Sequence, residues 1–313
     1  MLNARQISAL IGAVALIGLA APTRADEAYI PLISKGFQHQ FWQAVKLGAE
    51  QAAGKLKVKI TFEGPETEAM VDKQIDMLSA ALAKHPNALG FAALDSKAAI
   101  PYLKKAQAEH IPVIAFDSGV DSDIPLTTCA TDNLAAAGEA ADRLAALIGD
   151  TGDVAVVVHD QTSRTGIDRR DGFLQRMKEK HPNIKIVSVQ YGGGDHLKSA
   201  EITKAILGAN PNLKGIFGAN EGSAIGVLIG VRELKRKVAV IGYDSGKDQI
   251  DAINSGEQAG AITQNPIGIG ACVVESAVKA LHGDKLPKVV DTGFYFYDKS
   301  NINDPKIAAV LYK

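Results

Sequence analysis

The sequence predicts an α/β protein with two doubly wound parallel sheets, one in each of two lobes. Short apolar runs, typical of buried parallel strands, alternate along the chain with segments of helical periodicity. This order favours parallel sheets covered by helices on both faces. The runs are too many for one convenient sheet, and 313 residues suffice for two domains.

The predicted elements follow one another in strict alternation. The strands are Ala28–Ser34, Val58–Phe62, Ala88–Leu94, Pro112–Phe116, Val154–Val158, Ile184–Gln190, Gly215–Gly218, Val238–Gly242 and Gly260–Thr263. The helices between and after them are Phe41–Gly54, Glu68–Ala83, Ala98–Glu109, Asn133–Ile148, Ile167–Lys180, Leu197–Leu207, Ser223–Leu234, Lys247–Asn254 and Ile267–Leu281.

Residues 1–25 are predicted to be a cleavable signal peptide. A basic residue, Arg5, precedes the apolar run Ile7–Ala21, which is short for a bilayer span. Thr23–Ala25 then places small residues at the two positions that signal peptidase reads. The alternative is an uncleaved membrane anchor. We expect the mature chain to begin at Asp26 and to act outside the cytoplasm.

The net charge and the cysteine content limit the kinds of partner and the covalent bonds that this chain is expected to have. The formal net charge is −1, so the chain has no global basic field to attract nucleic acid or an anionic membrane. Cys129 and Cys272 are the two cysteines. An oxidising compartment permits a disulfide between them without requiring one, and two buried free thiols are the simpler interpretation.

A four-residue pattern occurs twice at the ends of apolar strands. Phe116–Gly119 and Tyr243–Gly246 both read aromatic–Asp–Ser–Gly. Open α/β sheets bind ligands at the carboxyl ends of their strands, so Asp117 and Asp244 are expected to face one cleft between the lobes. Two ordinary turns are the alternative, since Asp, Ser and Gly are common turn residues.

Other candidate residues suit a polyhydroxylated ligand. The ring faces of Phe41 and Trp42, the latter the only tryptophan, can pack on the C–H faces of a sugar, and the alternative is that Phe41 or Trp42 is simply core. The polar segment His159–Asp171 follows an apolar strand, and amides lie at the ends of two others, at Asn220 and Gln264–Asn265. Planar amide, carboxylate and guanidinium groups suit vicinal hydroxyls, but these residues could also be helix caps or solvated turns.

Motifs for catalysis, cofactors and metals are absent from the sequence. The glycines at 192–194 and 268–270 lack the strand-to-helix frame of a dinucleotide site. Ser163 does not stand in a G-x-S-x-G frame, and the histidines lack metal-ligand spacing. We therefore expect a binding protein that is not an enzyme and that has no cofactor and no metal.

At this point the sequence resembles a known family over Asp26–Lys313, the type I periplasmic binding proteins of the ribose-binding group, which are the solute receptors of ABC sugar importers. The motifs that carry the resemblance are Phe41-Trp42 with Gly48-Ala49, Ile111–Ile114 with Asp117, Thr131–Asn133, Arg169 with Gly172-Phe173, Ile216-Phe217 with Asn220-Glu221, Ile241–Asp244, and Ala261–Gln264 with Pro266 and Ile269-Gly270. By resemblance, the ligand-binding residues are His39, Phe41, Trp42, Asp117, Ser118, Arg169, Asn220, Asp244 and Gln264.

Three departures from the ribose-binding pattern affect the expected ligand. Ser118 stands where the ribose binder has an arginine, Gly192–Gly194 replaces a closing aromatic residue, and Ala92 replaces an asparagine. Ribose is therefore not the expected ligand. The segment Phe62–Pro65 is similar to the receptor for the sugar-derived signal autoinducer-2.

The resemblance also implies a domain organisation and a mechanism. Three crossovers, near Thr131, Gln264 and Asp291, would join a first lobe of residues 26–130 and 265–291 to a second lobe of residues 131–264 and 292–313. The protein, a periplasmic monomer, would capture a sugar or polyol by hinge closure and deliver it to an ABC permease in the inner membrane.

Alternative functions remain open on the sequence. They are a receptor for autoinducer-2, a partner of a chemoreceptor and, less favoured, the effector domain of a sugar-responsive regulator. A regulator would need a DNA-binding helix-turn-helix where the signal peptide stands.

Overall fold

The computed structural model describes residues 27–312, so the predicted signal peptide and the proposed first mature residue, Asp26, lie outside the described residues. The strands are β1 (Tyr29–Ile33), β2 (Lys59–Glu63), β3 (Leu89–Phe91), β4 (Val113–Phe116), β5 (Thr127–Ala130), β6 (Gly152–Val158), β7 (Ile184–Tyr191), β8 (Leu213–Gly218), β9 (Ala239–Tyr243), β10 (Gly260–Gln264), β11 (Val289–Asp291) and β12 (Phe294–Tyr297). The helices are α1 (Gln40–Leu56), α2 (Val71–Leu82), α3 (Ile100–Ala108), α4 (Asn133–Ile148), α5 (Arg164–Lys180), α6 (His196–Ala209), α7 (Glu221–Glu233), α8 (Lys247–Ser255), α9 (Pro266–Leu281) and α10 (Pro305–Ala308). Within this range no helix has the length and apolar character needed to cross a bilayer.

Two six-stranded sheets organise the chain, in the orders β2-β1-β3-β4-β5-β11 and β7-β6-β8-β9-β10-β12. Every neighbouring pair is parallel except β10 with β12, which is antiparallel. In each sheet the strand order reverses beside the first strand, which is the arrangement of a doubly wound fold. The predicted fold class is confirmed.

The chain passes between the sheets in three connections, after β5, after β10 and after β11. Helices α1, α2, α3 and α9 pack around the first sheet, and α4 to α7 pack around the second, with α8 against α7. We call these two layered bodies the first and the second lobe. The crossings predicted near Thr131, Gln264 and Asp291 fall in these connections, whereas the exact lobe bounds stay a prediction.

Close packing of α1 on α9 fixes the helix that carries the candidate aromatic residues. A Cβ atom on Gly48 would lie 2.1 Å from the Ile267 carbonyl oxygen, and one on Gly270 would lie 1.9 Å from the Val45 carbonyl oxygen. Only glycine permits this approach of the two backbones. This close contact with α9 therefore fixes the position of α1, and of the aromatic residues it carries, in the first lobe.

Three of the strands were not predicted. β5, β11 and β12 have three or four residues each, and β11 is largely exposed. β3 and β4 are as short, but they stand within the longer apolar runs Ala88–Leu94 and Pro112–Phe116, which made them recognisable. The second helix also begins later than predicted, at Val71 rather than at Glu68, which leaves Glu68 in the loop before it.

The interpretation of the two cysteines as free thiols is wrong. Cys129 in β5 and Cys272 in α9 form a disulfide, with their Cα atoms 6.0 Å apart. Because α9 packs on β5, residues far apart in the chain meet at bonding distance. The bond ties a helix to a strand inside the first lobe.

Candidate functional site

A small cavity of about 20 Å³ lies between the two lobes. The first lobe lines it with Lys35, His39, Phe41, Trp42, Glu68 and Asp117, and the second with His159, Thr165, Arg169, Asn220 and Asp244, with Gln264 at a crossing. Many of these residues lie at or just past the carboxyl end of a strand, because parallel strands end at the same edge of a sheet. Of the nine ligand-binding residues expected by resemblance, Ser118 alone is not among the lining residues.

The repeated Asp–Ser–Gly turns place two carboxylates at equivalent positions of the sheets. Asp117 follows β4 and Asp244 follows β9, and both have left-handed backbone conformations, with φ of 56° and 78°. Their N–H groups donate to carbonyls of the next strand region, at 2.9 Å for Asp117 to Cys129 and 2.6 Å for Asp244 to Ile262. Such strained backbone is typical of functional sites.

The two carboxylates differ in how many of their hydrogen bonds are already made. Asp244 Oδ2 accepts from the Glu221 N–H at 2.9 Å, and its Oδ1 accepts from Gln264 Nε2 at 2.7 Å. The Oδ1 atom of Asp117 is buried and has no partner. Burial raises the pKa of Asp117 to about 6, against the lowering effect of Lys35 and Arg169. Asp117 is therefore the carboxylate best able to accept from a ligand hydroxyl.

Arg169 is held firmly by its own lobe. Its Nε donates to Asn133 Oδ1 at 2.7 Å, and its Nη1 donates to the Ala219 carbonyl at 3.0 Å. The guanidinium lies 3.8 Å from the centroid of the Tyr243 ring and 4.0 Å from Asp244. A guanidinium has five N–H donors, so these contacts leave donors for a ligand.

Phe41 and Trp42 form an apolar wall of the cavity. Their rings meet edge to face with centroids 5.0 Å apart, and both side chains are nearly fully buried. The indole Nε1 of Trp42 donates to Glu68 Oε1 at 2.8 Å, which fixes the plane of the ring. The two residues belong to the core of the first lobe as well as to the cavity, so both interpretations made from the sequence apply.

Sequence reasoning missed Lys35, a lysine buried in the cleft. Its ammonium contacts Glu68 of the first lobe at 3.7 Å, and Thr165 and Asp160 of the second at 3.2 Å and 3.8 Å. The available signal was a lysine placed directly after the apolar run of the first predicted strand, Ala28–Ser34. Glu68 was missed because the predicted helix included it.

His39 and His159 add neutral polar groups to the cavity. Burial lowers the pKa of both, to about 3 for His159, where Lys35 also acts. Burial acts to raise the pKa of Glu68, but Lys35 together with the two histidines and the Trp42 hydrogen bond brings it to about 2. The Nδ1 atoms of both histidines are buried without a partner. A neutral imidazole can donate or accept, so each ring can serve a hydroxyl group.

The remaining predicted residues have mixed roles. The Asn220 Oδ1 atom caps α7 by accepting from the Ser223 N–H at 2.8 Å, while the residue also lines the cavity. Gln264 Oε1 accepts from Thr131 Oγ1 at 2.9 Å. Ser118 is buried outside the cavity, in the turn that begins at the left-handed backbone of Asp117.

Chemically, the cavity offers hydrogen-bond donors and acceptors from both lobes beside an aromatic wall, a combination that suits a small polyhydroxylated molecule. Across residues 27–312, the His, Cys, Asp and Glu side chains form no cluster arranged to hold a metal ion.

Comparison with known proteins identifies relatives along most of the chain. The family model described as a periplasmic binding protein domain matches residues 30–285. The ribose import binding protein of Haemophilus influenzae is 27% identical over 283 residues, covering 90% of this chain and 95% of the relative.

Two solved structures are also similar. A carbohydrate transporter solute binding protein from Agrobacterium radiobacter, in complex with D-arabinose, has a TM-score of 0.89 and 34% identity, covering 92% of this chain and all (100%) of that one. An ABC transporter solute binding protein from Agrobacterium vitis, with bound D-fucose, has a TM-score of 0.88 and 33% identity, covering 91% and 100%.

Proposed function

Because the chain belongs to the family of periplasmic binding protein domains, we propose that it captures a sugar or polyol between its lobes and delivers it to an ABC transporter. The relatives described above are sugar-binding proteins of transporters, and they lend no support to a receptor for autoinducer-2. The expected activity is binding without turnover.

One observation carries the proposal: an unpartnered buried carboxylate oxygen of Asp117 faces a cavity whose opposite wall carries Arg169 and Asp244. A buried acceptor without a partner costs free energy, which a ligand hydroxyl would recover. Since the cavity is built from both lobes, a ligand that contacts both would favour the closed form.

The proposed site consists of residues that act in three ways. Phe41 and Trp42 pack on the faces of the ligand, Asp117 and Asp244 accept its hydroxyl hydrogens from opposite sides, and Arg169 donates to its oxygens. His39, Asn220 and Gln264 complete the polar shell. The relatives bind ribose, D-arabinose and D-fucose, so the proposal names the class of ligand and not one sugar.

Several finer statements belong to the same proposal. Residues 1–25 direct the chain to the periplasm as a cleavable signal peptide, and the mature protein works as a monomer that docks on a permease. The lobes comprise residues 26–130 with 265–291, and 131–264 with 292–313; the membership of β11 and β12 in different sheets supports this division.

The test is a titration of the mature protein, beginning at Asp26, with pentoses, hexoses, polyols and autoinducer-2. Trp42 is the only tryptophan, so intrinsic fluorescence reports on the cavity. We expect a saturable change with one class of sugar or polyol. Thermal unfolding is the second readout, since ligand at a hundredfold excess over Kd should add about 2.7 kcal/mol of stability. A response to autoinducer-2 alone, or to nothing in the panel by either readout, would contradict the proposal.

A further inference from the structure

Two helices that face the cleft begin without a side-chain cap from their own N-cap residues. The first N–H groups of any helix have no partner inside the helix. In α5, α7 and α9 the residue before the helix supplies the missing acceptor through its side chain. The residues before α1 and α8, His39 and Gly246, supply none.

Glu221, in the second lobe, provides the cap of α1 in the first lobe. Its Oε1 atom accepts from the Gln40 N–H at 3.0 Å, and its Oε2 atom accepts from the Phe41 N–H at 3.1 Å. The side chain is buried, with 3% exposure. The two oxygen atoms give partners to N–H groups that have none inside the helix, which stabilises the start of α1.

Gln40, in the first lobe, caps helix α8 of the second lobe in the same way. Its Oε1 atom accepts from the Lys247 N–H, the first of α8, at 2.7 Å. This contact is exposed, so water competes with it, and we expect it to be weaker than the buried Glu221 contact. Each lobe thus completes a helix N-terminus of the other.

Gly246, the glycine of the second Asp–Ser–Gly turn, makes room for this arrangement. A Cβ atom there would lie 2.9 Å from Glu221 Oε1 and 3.1 Å from Gln40 Oε1. Its counterpart in the first lobe, Gly119, would meet only Thr128, at 3.7 Å. Only in the second lobe, therefore, does the glycine of the repeated turn leave room for a contact between the lobes.

The reciprocal cap adjoins the ligand cavity without lining it. The Glu221 N–H donates to Asp244, which lines the cavity, while its carboxylate holds the N–H of Phe41, which lines the opposite wall. All of these cross-lobe hydrogen bonds must break when the lobes separate.

We propose that Glu221 and Gln40 are positioning residues that hold the lobes closed by capping each other's helices, and that they set ligand affinity without touching the ligand. The inference rests on the proposed function, because it assigns these residues to the closure of the same site. The apparent affinity of a closed-form binder scales with the population of the closed form. Losing the buried cap should weaken binding about tenfold, the effect of losing a strong helix cap.

The experiment compares Glu221→Ala, Glu221→Gln and Gln40→Ala with a matched control, Glu233→Ala, an exposed acidic residue at the far end of α7. The readouts are the dissociation rate of the sugar found in the titration and the small-angle scattering of the ligand-free protein. We expect about tenfold faster dissociation for Glu221→Ala and about threefold for Gln40→Ala. Glu221→Gln keeps only one of the two acceptor oxygens, so about threefold is expected there too, and Glu233→Ala should stay near wild type.

A purely structural role of Glu221 would lower the unfolding temperature and leave the dissociation rate unchanged, and that result overturns the proposal. If the wild type binds nothing in the panel, the proposed function fails separately. Scattering then decides: a larger radius of gyration for Glu221→Ala than for Glu233→Ala supports the reciprocal cap, and equal radii contradict it.

Discussion

Asp117 and Asp244 occupy the same position in two sheets of the same topology, yet only Asp117 keeps a buried carboxylate oxygen without a partner. Asp244 already accepts hydrogen bonds from the Glu221 N–H and from the side chain of Gln264, so both of its carboxylate oxygens have partners within the protein. The two aspartates therefore have different roles although their sequence patterns are the same. Asp117 has a free acceptor oxygen for a ligand, whereas Asp244 is already hydrogen-bonded to groups that position it.

Asp117→Asn should weaken sugar binding by about 2 kcal/mol, roughly thirtyfold, because a hydrogen bond to a charged acceptor is lost. Asparagine tolerates the left-handed backbone conformation at this position, so the fold should persist. Titration by Trp42 fluorescence measures the effect. Ser118→Ala is the matched control, since the neighbouring hydroxyl lies outside the cavity and has no partner. Equal affinities of the two variants would remove Asp117 from the site.

Glu68→Gln should reduce the free energy of unfolding by about 3 kcal/mol at neutral pH, because Lys35 loses a buried counter-charge. Lys35 and the other neighbours of Glu68 together outweigh burial and lower the pKa of Glu68 to about 2. The stabilisation from Glu68 is therefore present above the ordinary carboxyl pKa and is lost as pH falls towards 2. Denaturant unfolding between pH 7 and 3 should therefore show a flatter acid dependence in the variant. The exposed Glu66→Gln serves as control, and equal acid dependence in both variants would contradict this role.

Sugar affinity should fall as pH rises from about 6.5 to 8.5. Burial and the nearby charges of Asp244 and Glu68 raise the pKa of Glu221 to about 8, and the tyrosines Tyr297 and Tyr312 are also near enough to interact with it. A raised carboxyl pKa means that closure takes up a proton, so the gain is present at low pH and is lost as pH rises through about 8. Glu221→Gln should remove most of this dependence in the fluorescence titration. A variant with the wild-type pH profile would exclude Glu221 as its source.

Reduction of the Cys129–Cys272 disulfide should destabilise the protein by about 2–4 kcal/mol, the usual effect of opening a long covalent loop. Thermal unfolding with and without dithiothreitol measures this. Sugar affinity should stay unchanged, because neither cysteine lines the cavity. The double variant Cys129→Ala, Cys272→Ala is the control, and dithiothreitol should not alter its unfolding temperature. An equal response of that variant would show that the reductant acts elsewhere.

Local patterns in the sequence determined the fold class, the order of the long strands and the paired aspartates. Buried strands such as Val154–Val158 are apolar throughout, and a turn that ends such a strand lies at the ligand edge of its sheet whatever surrounds it. The short β5, β11 and β12 were not predicted because, unlike the equally short β3 and β4, they do not stand within a longer apolar run.

Tertiary structure alone decided which distant groups meet. The disulfide depends on α9 lying against β5, and the contacts of Lys35 depend on Glu68 and Thr165 converging from separate segments. The cap of α1 by Glu221 joins residues about 180 positions apart in the chain. The sequence shows which side chains lie at the end of each strand. The distances between those side chains depend on how the helices pack and how the lobes close. Hydrogen bonds and ion pairs act only over a few ångströms, so tertiary structure decides which of them form.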